Sequence, residues 1–136
     1  PRSVSAEVVR AATAALKALQ PAFAVTGGLH AAGVLDGTGA LRCVREDVGR
    51  HNAADKALGA WALEEGDRAG LALVVSSRAG FEIVQKAHAR RVPVVITVGA
   101  PTSLAVAHAV RAGITLVAFA RGDTFSVYAH PGRLAA

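Results

Sequence analysis

Val8, Ala12, Leu16 and Leu19 recur at intervals of three and four residues, the spacing of one apolar face on a helix. Ser3 or Ser5 offers an N-terminal cap for this helix, and Pro21 ends it. After a turn at Gly27 and Gly28 the period shortens. "HAAGVLD" and "LRCVRED" have the pattern of two short strands, joined by "DGTG" with the Asp-Gly signal of a hairpin. Helical spacing returns from Arg50 to Glu65, with Ala54, Leu58, Trp61 and Ala62 as the core face.

The pattern then alternates. "LALVVSS", "VPVVITV" and "ITLVAFA" are continuous apolar strands, and "AGFEIVQKAHARR" and "SLAVAHAVRAG" between them are helical. Continuous apolar strands alternating with helices predict parallel strands covered on both faces and joined by right-handed crossovers. "TFSVYAH" adds an edge strand. The expected fold is α/β: a three-layer α/β/α domain around a mixed, largely parallel sheet. No linker, repeat or low-complexity tract divides residues 1–136, so one domain is expected.

Composition narrows this picture. The chain is 52% hydrophobic but holds only six aromatic residues, which favours close packing of small helices on a sheet over an aromatic sandwich. A formal charge of +5 suits an anionic partner. Nucleic acid is disfavoured, because basic residues form no run and do not interleave with aromatics. No apolar stretch reaches the length of a membrane span. Cys43 is the single cysteine, which excludes an internal disulfide and fits a reducing compartment, by default the cytoplasm. The chain has no Met, and the expectation is a fragment or processed piece of a longer product.

Ligands of open parallel sheets bind beyond the carboxyl ends of the strands. Three loops fall there: "SSRAGFE", "GAPTS" and "ARGDTF". The first two open helices, whose unpaired N–H groups favour an anion, and Arg78 and Arg121 add guanidinium forks suited to phosphate. One reading is a phosphate crevice; the other is that Ser76, Ser77, Thr102 and Ser103 merely cap helices. "EDVGRHNAADK", Glu46 to Lys56, joins the same crevice if its strand runs suitably. Asp47 is then the expected cap, with Arg50, His51 and Asn52 in the first turn and a neutral imidazole expected at His51. The alternative is that Arg50, Asp55 and Lys56 form a solvated helix face.

Weaker signals are read as structural. "TGGLH" is a turn, Glu82 and Lys86 are an i,i+4 surface pair, His88 and His108 are inert, and Cys43 is a buried small hydrophobe. No HxxxH, HxE, HExxH, CxxC, GxSxG or GxxxxGK[ST] pattern occurs. That spacing disfavours a zinc site, a serine hydrolase of the elbow class and a P-loop nucleotidase.

Taken together, "TGGLHAAGV", "REDVGRHNAADK", "SSRAGFEIVQKA", "GAPTSLAVAHA" and "FARGDTFSVYAHP" resemble the C-terminal domain of the formate dehydrogenase accessory sulfurtransferases, the FdhD family, from about Phe23 to Pro131. The resemblance implies a cytidine-deaminase-like fold. The helices starting at "GRHNA" and "SRAGFE" stand where deaminases carry zinc ligands, but the HxE and PCxxC residues are missing, so zinc deamination is not implied. Family members are understood to take persulfide sulfur from a cysteine desulfurase and pass it to bis-molybdopterin guanine dinucleotide, the molybdenum cofactor destined for formate dehydrogenase.

The family's cofactor-binding segment matches Phe119, Ala120, Arg121, Gly122, Asp123 and Thr124. His51, Asn52, Arg78 and Glu82 join them by motif and position, with GDP as a partial mimic of the cofactor. The family's persulfide-carrying cysteine lies in an upstream CxxC loop that has no counterpart here, and Cys43 does not match it. The expectation is therefore a cofactor-binding half of a sulfurtransferase, with no catalytic residue of its own. The alternative is a non-catalytic module for dimerisation or docking in formate dehydrogenase assembly, using the apolar "HAAGV" as surface. The resemblance also implies a homodimer.

Overall fold

The computed structural model describes residues 3–19 and 29–135. In chain order the elements are β1 (Val4–Ser5), α1 (Ala6–Ala18), β2 (His30–Leu35), β3 (Leu41–Asp47), α2 (Arg50–Glu65), β4 (Ala72–Val75), α3 (Phe81–Ala89), β5 (Val94–Thr97), α4 (Ser103–Ala112), β6 (Thr115–Arg121), β7 (Thr124–Ala129), a 3₁₀ turn (Pro131–Arg133) and β8 (Leu134–Ala135). Pro21, Phe23, Gly27 and Gly28 lie outside the described residues.

Six strands form one sheet in the order β3-β2-β4-β5-β6-β7. The pairs β4·β5 and β5·β6 are parallel; β2·β3, β2·β4 and β6·β7 are antiparallel. Two reversals across β2 make β3 point the same way as β4, β5 and β6. The predicted parallel character thus holds for strand direction, while the pairings are more often antiparallel. The two short strands β1 and β8 pair in parallel, Val4 with Leu134 and Ser5 with Ala135.

Helices cover both faces. α1 packs on one with Val9, Ala12 and Leu16 against Leu35, Val74, Val94, Ile96 and Val117. α2, α3 and α4 cover the other, with Ala53, Ala54, Ala57, Leu58, Trp61, Ile83, Val84, Ala105 and Ala109 over Val34, Leu73, Val75, Val95 and Leu116. The alanines let helix backbones approach the sheet closely, and burial of the branched strand residues supplies the main driving force. Among the described residues no helix is long and apolar enough to cross a membrane.

The helix faces differ from expectation in detail. In α1 the buried stripe is Val9, Ala12, Thr13 and Leu16; Leu19 is the C-cap and half exposed, because the helix has already ended. In α2 Ala53 and Ala57 are buried while Ala62 is only partly covered. "HAAGV" is no surface: Ala31, Ala32, Val34 and Leu35 are buried, since β2 lies between β3 and β4 with helices on both sides.

Asp36 organises the β2–β3 turn. Its carboxylate accepts from the Thr38 N–H at 2.9 Å, the Thr38 hydroxyl and the Ala40 N–H at 3.1 Å. These donors, the Thr38 hydroxyl foremost, hold its carboxyl below the ordinary range. Gly39, at φ 86°, takes the left-handed position that closes the turn. At the far end, Arg133 Nη1 donates to the carbonyls of Pro93 and Gly113 and to Thr115 Oγ1, fastening the C-terminal segment beneath β5 and β6.

Candidate functional site

Because β3, β4, β5 and β6 run the same way, Asp47, Val75, Thr97 and Arg121 end on one edge of the sheet. The loops at 76–80 and 98–102 open α3 and α4 there, and α2 starts beside them. The Glu46 to Lys56 stretch therefore does join the strand-end loops.

The start of α2 is built by Asp47, though not as a cap. Its Oδ1 accepts from the Gly49 N–H at 2.9 Å, and its Oδ2 pairs with Lys56 Nζ at 2.7 Å. Lys56 also donates to the Glu46 carbonyl. Lys56 first, and the Gly49 N–H next, hold the Asp47 carboxyl below the usual carboxylate range. The N-cap is Gly49, which has no side chain to bond the helix N–H groups. Asn52 folds back toward this turn, within 3.4 Å of the position a Cβ on Gly49 would take. Arg50 Nε and His51 Nδ1 are buried atoms with no hydrogen-bond partner.

His51 Nε2 lies 3.9 Å from Glu82 Oε2, joining the first turns of α2 and α3. One turn further along, Lys86 Nζ binds Asp55 at 2.8 Å. The expected Glu82 and Lys86 surface pair is thus replaced by two bridges between helices, because the packed neighbour offers partners closer than the next turn of the same helix.

The 76–80 loop corrects the capping assignment. Ser76 Oγ accepts from the Ala31 N–H at 2.9 Å, which ties the loop to β2. Ser77 Oγ donates to the Arg78 carbonyl. The N-cap of α3 is Gly80, again without a side-chain bond, and a Cβ there would meet open space. Thr102 does cap α4, accepting from the Ala105 N–H at 3.1 Å; Ser103 is the first residue of that helix. Two of the three helices entering this edge therefore begin with glycine, leaving their first N–H groups without side-chain caps.

Gly99 is the junction of the edge. Its carbonyl accepts from the buried Thr97 hydroxyl at 3.0 Å and from the Phe119 N–H at 3.2 Å. Its N–H donates to the Ser77 carbonyl, and a Cβ at this position would lie 3.1 Å from the backbone of Arg78. A side chain here would push Arg78 off the loop. Arg78 is exposed above it. Ala79 bridges Pro101, with the Thr102 N–H donating to the Ala79 carbonyl at 2.9 Å.

Phe119 adopts left-handed backbone, φ 53°, at an irregularity of the β6·β7 ladder, and its half-exposed ring lies 6.3 Å from that of Tyr128. Ala120, matched to the cofactor-binding segment, is buried toward the α1 layer and presents no surface to a ligand. Arg121, Gly122, Asp123 and Thr124 are exposed on the turn beyond, where Thr124 Oγ1 donates to the Arg121 carbonyl. The structure gathers His51 with Glu82, and Arg78 with Phe119 through Gly99. Arg121 and Asp123 stand further out, and among the described residues no hydrogen bond or ion pair joins them to the others. Gly49, Gly80, Gly99 and Thr97 are the contributors that sequence reasoning passed over. The signal was present at Gly49 and Gly80, each placed immediately before a helix.

Cys43 lies away from this edge. It sits early in β3, its Sγ donates to Glu64 Oε2 at 3.3 Å near the C-terminal end of α2, and burial pushes its thiol pKa up, with Glu64 adding to the effect. It is buried, as expected of a small hydrophobe in a strand. His88 and His108 form a ring cluster with Phe81, 5.8 Å apart from each other and 4.7 Å from His108 to Phe81.

The sequence matches the FdhD/NarQ family over residues 1–135. The chain belongs to that family. The sulfur carrier protein FdhD of Mycobacterium tuberculosis is 50% identical over 137 residues, covering 98% of this chain and 49% of that protein. The protein of the same name from Thermoplasma acidophilum is 46% identical, covering 96% and 46%. This chain thus spans about half the length of those relatives. Among solved structures, a formate dehydrogenase accessory protein from Desulfotalea psychrophila superposes with a TM-score of 0.90 at 29% identity, over 99% of this chain and 60% of the other. Sequence and fold thus agree on the FdhD/NarQ family.

Proposed function

We propose that this chain is the cofactor-binding half of a sulfur carrier, which holds bis-molybdopterin guanine dinucleotide while persulfide sulfur from a cysteine desulfurase is delivered for formate dehydrogenase maturation. One observation carries the reading: α2 and α3 start side by side on the strand-end edge with glycine at both N-caps, and Arg50 Nε and His51 Nδ1 are left without partners there. Uncapped helix N–H groups and the unpaired Arg50 Nε donor at one place fit a large polyanion.

The N–H groups of the first α2 and α3 turns and the guanidiniums of Arg78 and Arg121 would hold pyrophosphate oxygens. The Asp123 carboxylate is suited to accept from the N–H edge of a guanine, and the Phe119 ring offers a face for stacking. His51, Asn52 and Glu82 line the wall. When bound, the cofactor supplies the metal centre that receives sulfur. Carrying a persulfide requires a reactive thiolate, and Cys43 is buried, protonated and bonded to Glu64, so the relay needs a cysteine other than this one.

Calorimetric titration with GDP at two salt concentrations tests the reading. Binding that weakens about tenfold in Arg121→Ala or Arg78→Ala, and weakens with salt, is expected. A parent chain that ignores GDP, or variants that bind it equally well, would remove the support. A second reading, a dimerisation or docking module, is favoured by Val110, Phe119 and Tyr128, exposed beside the edge strand β7. It predicts concentration-dependent self-association in sedimentation, abolished by Tyr128→Asp, with no response to GDP.

A further inference from the structure

At the end of the sheet opposite the candidate site, α2 and α3 finish side by side over a cleft of about 190 Å³. Leu58, Trp61 and Val92, all buried, form its base, and Arg68, Arg90 and Arg91, all exposed, form its rim. Among the described residues none of these three guanidiniums is in an ion pair. By contrast the nearby Arg42 is fully engaged: it binds Glu64 at 2.8 Å and Glu65 at 2.9 Å and lies 4.9 Å over the Trp61 ring. Glu64 and Glu65 are thus already taken by Arg42, and the three arginines outnumber Asp67, the one acid of the lining, so the rim is left with surplus positive charge.

The rim is also held in shape. Trp61 Nε1 donates to the Arg68 carbonyl at 2.6 Å, Arg91 Nη2 donates to the Asp67 carbonyl at 2.6 Å, and Arg91 has left-handed backbone, φ 59°. Backbone strain of this kind persists only where the surroundings enforce it. Two helix C-termini meet here, however, and their last carbonyls and negative dipole ends disfavour a bare phosphate. The last helix carbonyls already accept the N–H groups of Gly66, Arg68, Arg90, Arg91 and Val92, so an occupant need only answer the arginines. Carboxylates spaced along a polypeptide can each reach one arginine with less charge concentrated at the helix ends than a phosphate carries, and one apolar side chain fills a base too small for a cofactor-sized ligand.

We propose that this cleft docks a short acidic segment of a partner protein, with one apolar side chain anchored against Trp61 between Arg68 and Arg90. It lies at the far end of the sheet from the cofactor edge, so its occupancy is independent of GDP binding.

Trp61 is the only tryptophan of the chain, and its emission reports the cleft directly. The probe is a short acetylated peptide of glutamates around a single leucine, titrated beside its counterpart with lysines for glutamates and beside inorganic pyrophosphate. The expected result is a saturable shift of Trp61 emission with the acidic peptide alone. Arg68→Gln and Arg90→Gln each weaken it about threefold, and added salt weakens it further. Both side chains are exposed, and the Arg68 carbonyl that holds Trp61 survives substitution. No saturable shift, an equal response to the lysine peptide, a pyrophosphate response as tight as the peptide's, or unchanged affinity in both variants would each overturn the proposal.

Discussion

The hairpins at the two edges of the sheet break their ladders in the same way and differ in what they do with the result. In β2·β3 the pairing jumps so that Gly33 faces both Cys43 and Val44; in β6·β7 Phe125 faces both Phe119 and Ala120. Each bulge places a non-glycine residue in left-handed backbone, Cys43 at φ 57° and Phe119 at φ 53°, at a cost of about 1–2 kcal/mol apiece. Cys43 is turned inward beneath α2, where Glu64 and the core close around it. Phe119 is turned outward at a strand end, held by its N–H on Gly99 and its ring beside Tyr128. The same irregularity therefore serves packing at one edge, and at the other it presents an aromatic face beside Arg78.

The largest expected effect comes from the aromatic partner of each bulge. Trp61 is buried, carries Arg42 above its ring and bonds the Arg68 carbonyl, so Trp61→Ala should cost about 3–5 kcal/mol. Tyr128 is 39% exposed, and Tyr128→Ala should cost less than about 1 kcal/mol. Urea denaturation of the two variants measures both. Similar losses would mean that the two edges do not divide the work as described.

Cys43 itself comes next. Cys43→Val sets a β-branched side chain on left-handed backbone and crowds a closed site, for an expected loss of about 2–4 kcal/mol. The thiol also gives the protein a pH signature. Its pKa is raised on folding, by burial first and then by Glu64, so its contribution is fully present below the unfolded pKa of about 8.5. The contribution is lost as pH rises through the higher folded value. Stability should therefore decline above pH 8.5 more steeply in the parent than in Cys43→Ala, and native Cys43 should resist alkylation that the unfolded chain accepts. Parallel pH curves for parent and variant would show that the thiol is not buried as placed.

Element order and the strand-end edge were legible because period and loop position are local properties: α2 begins at Arg50 and ends at Glu65, as its spacing predicts. Direction within the sheet was not. That β3 points with β4 follows from two antiparallel pairings of β2, which no window of sequence records. The same blindness left "HAAGV" free to look like surface. Capping failed for a chemical reason. Ser76 and Ser77 are good cap residues, but sheet and loop carbonyls and N–H groups compete for their hydroxyls, and the helix is entered three residues after Ser77 at a bare glycine, Gly80. Side-chain pairing failed similarly, since Asp55 reaches Lys86 from a neighbouring helix. The bulges at Cys43 and Phe119 carry no turn residue at all, so nothing in either tripeptide announces left-handed backbone.

Phe119 allows the smallest effect on stability and the most discriminating one on binding. Phe119→Gly removes the backbone strain, about 1–2 kcal/mol, but gives back flexibility to the unfolded chain and loses the partly buried ring, about 1–2 kcal/mol together. Net stability should stay within about 1 kcal/mol of the parent. Phe119→Ala keeps the strained backbone and loses the ring. If the ring stacks on guanine, both variants weaken GDP binding by a similar factor, about tenfold for one lost aromatic face. If the bulge matters by fixing the path of the chain from Gly99 to Arg121, the glycine variant binds more weakly than the alanine variant, because only glycine releases that path. Unchanged GDP affinity in both would leave the bulge at this edge as structural as the one at Cys43, and the contrast between the two hairpins would disappear.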